Sequence, residues 1–126
     1  MAEFPLTVRY VLDSEWMETL CEMAGYGIKY WATSCHRTPI ADKPGNHSVF
    51  TVEWRDVDTG PRRTRQLTYG MLARSVQRIL TDPAQVQVGE HMVEAVQRAV
   101  FDAGDIDADV ADVVIQVAVH NRVIYG

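Results

Sequence analysis

The stretch GDIDADVADVV near the end of the chain has an acidic side chain at every second or third position. Asp105, Asp107 and Asp109 match positions 1, 3 and 5 of the calcium loop of helix-loop-helix proteins, where carboxylate oxygens bind the ion. That loop also needs glycine at its sixth position and glutamate at its twelfth. Here these positions hold Val110 and Gln116, so a calcium loop of this type is excluded.

The same stretch is typical of the start of a helix. Asp105 or Asp107 can accept hydrogen bonds from the first backbone N–H groups, and the remaining carboxylates favour the positive end of the helix dipole. Apolar residues within 106–117 then fall on one face, which predicts a helix with a solvated acidic face. A less favoured alternative is a cation bound by Asp105, Asp109 and Asp112, which are spaced four and three residues apart.

Cysteine and histidine offer a second kind of chemistry. Cys21, Cys35, His36 and His47 could supply zinc ligands, but their spacings match no standard pattern. We interpret Cys21 as a buried thiol of the first helix and Cys35–His36 as loop. A Cys–His nucleophilic pair needs a third residue to orient the base, and nothing local supports one. Phosphate-binding glycine loops, GxSxG and HExxH are also missing. The sequence therefore predicts no catalytic residue, metal or cofactor, which favours a binding protein over an enzyme.

Arginine is concentrated in the middle third of the chain. Arg62, Arg63 and Arg65 lie in a predicted strand, where Arg63 and Arg65 would share one face. Such a patch could bind phosphate or an acidic partner. The alternative, which we favour, is a charged edge strand protected against stray pairing. The arginines are still the most plausible binding surface in the sequence.

Aromatic residues and the C-terminal region complete the candidate surface. The segment YGIKYWA is dense in aromatic rings, which can line a pocket or anchor an interface but more often form the core of a small sheet. A histidine just before NRVIYG can titrate near neutral pH. The candidate binding surface comprises Arg62, Arg63, Arg65, Tyr30, Trp31, His120, Asn121 and Arg122.

Composition predicts one domain spanning residues 1–126. The chain is 47% hydrophobic and 23% charged, which is ordinary for a globular protein. A net charge of −5 argues against nucleic acid as the partner. Two cysteines without a CxxC pair favour a reduced cytoplasm, and no signal peptide or membrane-length apolar run is recognisable. We therefore expect a cytoplasmic protein that does not associate with membranes.

The first third of the chain predicts a strand followed by a helix. Residues 6–12 alternate between apolar and polar side chains, as in a strand. Asp13 or Ser14 then caps an amphipathic helix that ends near Gly25 or Gly27. IKYWAT follows as a short strand or an aromatic turn, and CHRTPIADKPGNHS is predicted as a loop.

The remainder of the chain predicts a hairpin followed by three helices. In SVFTVEWRDV, apolar residues alternate with Thr51 and its polar neighbours, and RRTRQLT can return antiparallel to it. Thr68 can cap the next helix, and residues 89–103 form another that buries Met92, Val93, Val96 and Val100, with Phe101 as a further candidate. The acidic stretch starts the last of the three helices. We predict an α+β fold in which an antiparallel sheet of about three to four strands is covered by about four helices, the last three consecutive.

Two stretches of the sequence also form a recognisable combination. One is the GI-x-YW pattern after the first helix, and the other is the acidic stretch followed by D-x-V-I-Q and a closing V-I-Y-G. Together they resemble a family of small proteins encoded by bacteriophages of actinobacteria, over about half of the chain. The matching residues are Gly27, Ile28, Tyr30, Trp31, Asp112, Val114, Ile115, Gln116, Ile124, Tyr125 and Gly126.

The resemblance implies a phage origin and expression in the cytoplasm of a bacterial host. It supplies no catalytic residue, because the family has no assigned activity. Many relatives have a Phe-Gly-Glu-like turn before the closing motif, where this chain has His120, Asn121 and Arg122. If that turn is a functional surface, this member has altered it.

The sequence supports three hypotheses of function. The first is a non-enzymatic phage accessory protein that binds a host or phage macromolecule, most readily a protein or a second copy of itself. The second is a small-ligand-binding protein or small enzyme whose aromatic-lined pocket lies near Tyr30, Trp31 and Cys35. The third is a virion or assembly component.

Overall fold

The computed structural model describes residues 10–38, 48–56 and 60–126, and it confirms the predicted α+β architecture. Its three described strands form one antiparallel sheet in the order β1-β2-β3, so that β2 is central. The elements are α1 (Ser14–Gly27), β1 (Ala32–Arg37), β2 (Ser48–Arg55), β3 (Arg62–Thr68), α2 (Tyr69–Thr81), α3 (Glu90–Phe101) and α4 (Ala108–His120), with a 3-10 turn at Ala103–Asp105 before α4.

Three helices begin at the caps that the sequence predicts. Asp13, Thr68 and Asp107 each accept a hydrogen bond from the backbone N–H three residues further on, at 2.8, 3.1 and 2.8 Å. Each bond satisfies a donor that the helix itself leaves without a partner. The structure therefore selects Asp13 and Asp107 from the pairs of caps that the sequence left open.

β1 starts later in the chain than the short strand or aromatic turn predicted for IKYWAT. Ile28–Trp31 form a turn in which the carbonyl oxygen of Ile28 accepts from the N–H groups of Trp31 and Ala32. β1 then runs through Cys35 and His36, which the sequence analysis assigned to a loop. The segment ATSCHR lacks apolar alternation, and its backbone is held extended by pairing with β2. This pairing is long-range, so the local pattern could not indicate it.

The strand predicted for residues 6–12 is not found in the part of that segment that the structure describes. Residues 6–9 lie outside the described part of the chain, and Tyr10–Leu12 are not in a strand. Tyr10 instead packs edge-on against Phe101, with 5.0 Å between ring centroids. Phe101 is 70% exposed, so the prediction that it is buried was wrong. Its position at the last residue of α3 leaves only one side of the ring covered.

The β2–β3 hairpin is regular and fixes which side chains share a face. Residues 50–55 pair with residues 62–67 without interruption, and a register shift occurs only beyond them, between Ser48 and Phe50. Arg63 lies opposite Trp54, and Arg65 lies opposite Val52. Directly opposed residues of an antiparallel pair project from the same face. The prediction that Arg63 and Arg65 share a face is therefore confirmed.

Helix α4 is the centre of the domain. It packs against both α1 and α2, and every residue of the segment 110–117 is buried. Asp112 is 8% exposed and Gln116 is fully buried, so the predicted solvated acidic face does not extend to Asp112. Because helices cover α4 from two sides, its polar residues have to find partners inside the protein.

One residue of the sheet also departs from simple alternation. Thr51 was predicted on the wet face of β2, and only 7% of it is exposed. β2 is the central strand, so the side chains of His36 and Gln66, which lie directly opposite Thr51 on the two neighbouring strands, flank it on the same face. Across the described residues, no helix is long and apolar enough to span a membrane.

Candidate functional site

The buried carboxylate of Asp112 is bound by three side-chain donors. Its Oδ1 accepts from the indole Nε1 of Trp31 at 2.8 Å and from Nε2 of Gln116 at 3.0 Å. Its Oδ2 accepts from the hydroxyl of Tyr30 at 2.6 Å. A neutral donor forms a stronger hydrogen bond with an ionised carboxylate than with a neutral acceptor, and such bonds offset the cost of burying the charge. Asp112 is therefore a structural carboxylate with its oxygens already occupied.

Gln116 extends this arrangement to the C-terminal segment. Its Oε1 accepts from the backbone N–H groups of Ile124 and Tyr125, both at 2.9 Å. Because backbone N–H groups can only donate, this end of the amide has to be the oxygen. The Nε2 group consequently faces Asp112 and the Tyr30 hydroxyl, as the distances of 3.0 and 3.1 Å require.

Burial and the neighbouring carboxylate keep Tyr30 protonated. Desolvation is the largest cause that raises the pKa of its hydroxyl, and the hydrogen bond to Asp112 raises it further. The phenol therefore remains a hydrogen-bond donor at physiological pH. The residue as a whole is 58% exposed, so Tyr30 reaches from the surface to the buried network. We call the set Tyr30, Trp31, Asp112 and Gln116 the polar clamp.

An aromatic cluster lies beside the polar clamp. The rings of Trp31 and Tyr125 are stacked, with 5.2 Å between centroids and 6° between planes. The imidazole of His120 meets Trp31, Trp54 and Tyr125 at centroid distances of 5.1, 5.1 and 5.5 Å. Trp31 and Trp54 are 8% and 7% exposed. These two indoles therefore fill interior space and do not line an open pocket.

His120 is a half-buried base whose Nε2 atom is buried. Its Nε2 contacts no donor or acceptor among the described residues. Desolvation is the main cause that lowers the pKa of this imidazole, and Arg65 acts in the same direction. Asp56 acts in the opposite direction and is outweighed. His120 thus favours the neutral form more strongly than an exposed histidine does.

Trp54 connects the aromatic cluster to the arginines of β3. Its Nε1 donates to Oδ1 of Asp56 at 3.1 Å. The other oxygen of Asp56 accepts from Nε of Arg63 at 2.7 Å, forming an ion pair. This hydrogen bond from Arg63 is the first cause of the lowered pKa of Asp56. The predicted residues Trp31, His120 and Arg63 therefore lie on one continuous chain of contacts.

The arginine-bearing strand lies at an edge of the sheet. β3 has a strand partner on one side only, within the described part of the structure. Five consecutive residues from 62 to 66 are exposed. Arg63 is paired with Asp56, whereas the side chains of Arg62 and Arg65 make no hydrogen bond or ion pair to a described residue. We call residues 62–66 the arginine edge.

The remaining residues of the predicted surface follow α4. Asn121 has φ 65°, a left-handed conformation that asparagine tolerates, and it ends the helix. The guanidinium of Arg78 donates to the Oδ1 and to the carbonyl oxygen of Asn121 at 3.2 and 3.4 Å. Arg122 is exposed. The structure therefore places Asn121 as a helix terminus held by α2.

The cysteines and the acidic stretch were the candidate metal ligands of the sequence, and the part of the chain that the structure describes places them as follows. Cys21, Cys35 and His36 line one cavity of about 280 Å³ between α1 and β1. Even so, no group of three or more His, Cys, Asp or Glu residues among those described could hold a metal ion. His47 lies outside the described residues. Burial raises the pKa of Cys21 to about 12, so its thiol stays protonated and unreactive.

Comparisons with protein-family models, with curated proteins and with solved structures gave no significant match. The structure itself describes an α+β domain with a buried polar clamp and an edge strand that carries three arginines.

The sequence did not lead us to predict Asp112 and Gln116 as partners of Tyr30 and Trp31. A signal was present, because the segment VADVVIQV is apolar around the helix except at these two positions, four residues apart. A helix that is apolar all round is buried. Two polar residues on such a helix require buried donors, and the indole and phenol of YW are suitable.

Proposed function

We propose that this protein is a non-enzymatic bacteriophage accessory protein that binds a host or phage protein in the cytoplasm of the bacterial host. The observation that carries this proposal is the arginine edge, a run of five exposed residues on an edge strand that contains three arginines. Arginine is enriched at protein interfaces because its planar guanidinium forms several directed hydrogen bonds.

The distribution of charge supports a specific patch over general attraction. The whole chain carries a net charge of −5, so a cluster of three arginines stands out against an acidic background. Such a contrast steers an acidic partner toward one face of the molecule. Arg62 and Arg65 have no ion-pair partner among the described residues, which leaves their guanidinium groups available.

The polar clamp supports the same proposal through architecture. In it, both oxygens of the Asp112 carboxylate accept hydrogen bonds, and the side chain of Trp31 is packed in the interior. These contacts resemble a structural core more than a reaction centre. The C-terminal motif residues contact the early motif residues directly, which accounts for their joint occurrence in one chain.

The phage origin rests on the sequence resemblance. The position where many relatives have glycine in a Phe-Gly-Glu-like turn holds Asn121 here, in a left-handed conformation that both residues tolerate. The departure at this turn is therefore compatible with the same backbone. Arg122, which replaces an acidic residue of that turn, adds another exposed cation.

The proposal is tested by affinity capture with a matched pair of variants. The double variant Arg62→Glu/Arg65→Glu reverses two charges of the arginine edge. Arg74→Glu/Arg98→Glu makes the same change in net charge at exposed positions of α2 and α3. Each tagged protein is incubated with a lysate of an actinobacterial host, and the captured proteins are measured by quantitative mass spectrometry.

We expect specific proteins to be enriched by the wild type and by the α2/α3 variant, and to be lost from the β3 variant. Thermal melting of all three proteins checks that the substitutions leave the fold intact. Equal enrichment by both variants would show that the arginine edge is not the binding surface.

A further inference from the structure

We propose that the partner contributes an acidic, extended segment that pairs, as a fourth strand of the sheet, with the edge of β3 that has no strand partner among the described residues. This inference rests on the proposed function, because it takes the arginine edge as the binding surface. It goes further by naming the mode of binding, which is strand addition, and the chemistry of the bound segment.

The backbone of β3 is suited to accept another strand. An edge strand presents a row of N–H and C=O groups without sheet partners, and peptides bind such edges by completing the ladder. β3 keeps regular register with β2 over residues 62–67. The opposite edge, β1, has a register shift between Ala32 and Ser34. A bulge of this kind disturbs the ladder and discourages pairing, so β3 is the more receptive edge.

The side chains of β3 set a charge pattern with a period of two residues. Arg63 and Arg65 project from the face that carries Trp54 and Val52, whereas Arg62 projects from the other face. In an added strand, residues directly opposite Arg63 and Arg65 share their face. Acids two residues apart would therefore each meet one of these guanidinium groups.

Arg63 is positioned for such a contact by its neighbours. Of the donors of Arg63, only Nε donates to Asp56, and the other oxygen of Asp56 accepts from the indole of Trp54. A guanidinium has five N–H donors, so its terminal N–H groups remain free of hydrogen bonds to the described residues. The ion pair thus orients the group and leaves most of its donors to a partner.

The same charges disfavour a second copy of this chain as the added strand. If two β3 strands paired antiparallel about Thr64, Arg63 of one copy would lie opposite Arg65 of the other. Like charges directly opposite each other destabilise a strand pair. The arginine edge therefore disfavours pairing with the arginine edge of a second copy and favours pairing with an acidic segment. This difference makes the edge selective for its partner.

The test uses fluorescein-labelled peptides and anisotropy titrations with the full chain. The first peptide has nine residues, with glutamate at alternate positions and valine or threonine between them. The second has the same composition with its glutamates contiguous. The third and fourth are the alternating peptide with N-methyl groups on either its odd or its even backbone amides.

Strand addition predicts a characteristic pattern across these peptides. The alternating peptide should bind at least about tenfold more tightly than the contiguous one. Only one of the two N-methylated peptides should lose binding, because the backbone amides of a paired strand face its neighbour at every second residue. Arg65→Glu should weaken binding of the alternating peptide, whereas Arg98→Glu should leave it unchanged.

Other outcomes would overturn the inference and leave the proposed function to be judged by its own experiment. Equal affinity for the alternating and contiguous peptides would indicate attraction of charge without strand pairing. Equal effects of both N-methylation patterns would lead to the same conclusion. A lack of binding by every peptide, or tighter binding of a labelled single-stranded DNA oligonucleotide than of any peptide, would exclude an acidic protein strand as the ligand.

Discussion

Gln116 is the residue through which the end of the chain is attached to the body of the domain. Its carbonyl oxygen binds two consecutive backbone N–H groups, and its amide nitrogen contacts Asp112 and Tyr30. Only glutamine and the shorter asparagine carry an NH2 donor and a carbonyl acceptor as two separate groups at the end of one neutral side chain. The fully buried side chain therefore has a defined structural task.

Replacing Gln116 with methionine keeps its volume and removes its hydrogen bonds. We expect the free energy of unfolding to fall by about 2–4 kcal/mol, because two backbone N–H groups and one carboxylate oxygen lose a partner. Hydrogen exchange at the amides of Ile124 and Tyr125 should accelerate. Gln77→Met on the exposed side of α2 is the control and should change stability little. Unchanged exchange in the Gln116 variant would contradict the role given to this side chain.

His120 makes the stability of the protein depend on pH. Because its folded-state pKa is lowered by burial, the unfolded chain takes up the proton first as the pH falls. The contribution of this residue is therefore complete above the unfolded value of about 6.5 and is lost as the pH falls through the lowered folded value. Stability should consequently fall as the pH drops below about 6.5.

The variant His120→Phe tests this dependence, since it retains a ring among the indoles and cannot be protonated. Urea unfolding at several pH values should show a smaller increase of stability with pH than the wild type. His91→Gln removes an exposed histidine of α3 and should leave the increase unchanged. A wild-type slope in the His120 variant would mean that other groups cause the dependence.

Between elements, α1 closely approaches the start of α4 at Gly27. A Cβ atom on Gly27 would overlap the carbonyl oxygen of Ala108 in the first turn of α4. Only glycine permits this separation of the two backbones. The glycine of the GI-x-YW motif is thus explained by contact with the helix that carries the other motif.

Gly27→Ala should lower the free energy of unfolding by about 1–3 kcal/mol, because α1 and α4 have to move apart. Gly25→Ala is a matched control two residues earlier, where an added Cβ meets nothing within 4 Å. Alanine at that helical position should stabilise by about 0.5–1 kcal/mol. Chemical denaturation distinguishes the opposite signs, and destabilisation of both variants to the same extent would refute the packing argument.

The start of α4 yields a second test at the scale of elements. Asp107→Ala removes the acceptor for the N–H of Val110 and should cost about 0.5–2 kcal/mol. Asp105→Ala alters the preceding 3-10 turn and removes no cap of α4. Its effect should be at most a few tenths of a kcal/mol. Thermal melts of the two variants would contradict the assignment of the cap if Asp105→Ala were the more harmful.

For the whole molecule, the three tryptophans report on different parts of one core. Trp16 of α1 donates to the carbonyl oxygen of Ala99 in α3 at 2.8 Å, Trp31 belongs to the polar clamp, and Trp54 lies in β2. All three indole N–H groups thus have partners, and the buried residues form one contiguous cluster. A domain of this kind is expected to unfold cooperatively.

We therefore expect tryptophan fluorescence and far-ultraviolet circular dichroism to give coincident urea transitions. The described cysteines form no disulfide, so a reductant should not change the midpoint. Single-tryptophan variants provide the stricter comparison. If the fluorescence of Trp54 changed at a lower urea concentration than the helical signal, the sheet and the helices would be separate folding units.

The sequence predicted much of the architecture and less of the site. Asp13, Thr68 and Asp107 were identifiable as caps, and RRTRQLT as the partner of β2, because these features depend on residues within a few positions of one another. Arg63 and Arg65 could be assigned to one face for the same reason. Their role in binding stays a prediction.

The polar clamp was decided by the tertiary structure alone. Trp31 donates to a carboxylate 81 residues later in the chain, and Tyr30 to the same group. Local periodicity shows that a helix has an apolar face, but it does not show how many neighbours cover that helix. Asp112 was therefore predicted to be solvated, although α1 and α2 enclose the helix that carries it.

By itself the sequence determined where helices begin, which strands form the hairpin and which side chains share a face, since backbone geometry links each of these to neighbouring residues. Tertiary structure decided that ATSCHR is a strand, that Asp112 and Gln116 are buried, and that the closing motif packs against the early one. These outcomes depend on contacts between distant segments, and only the complete folded chain brings those segments together.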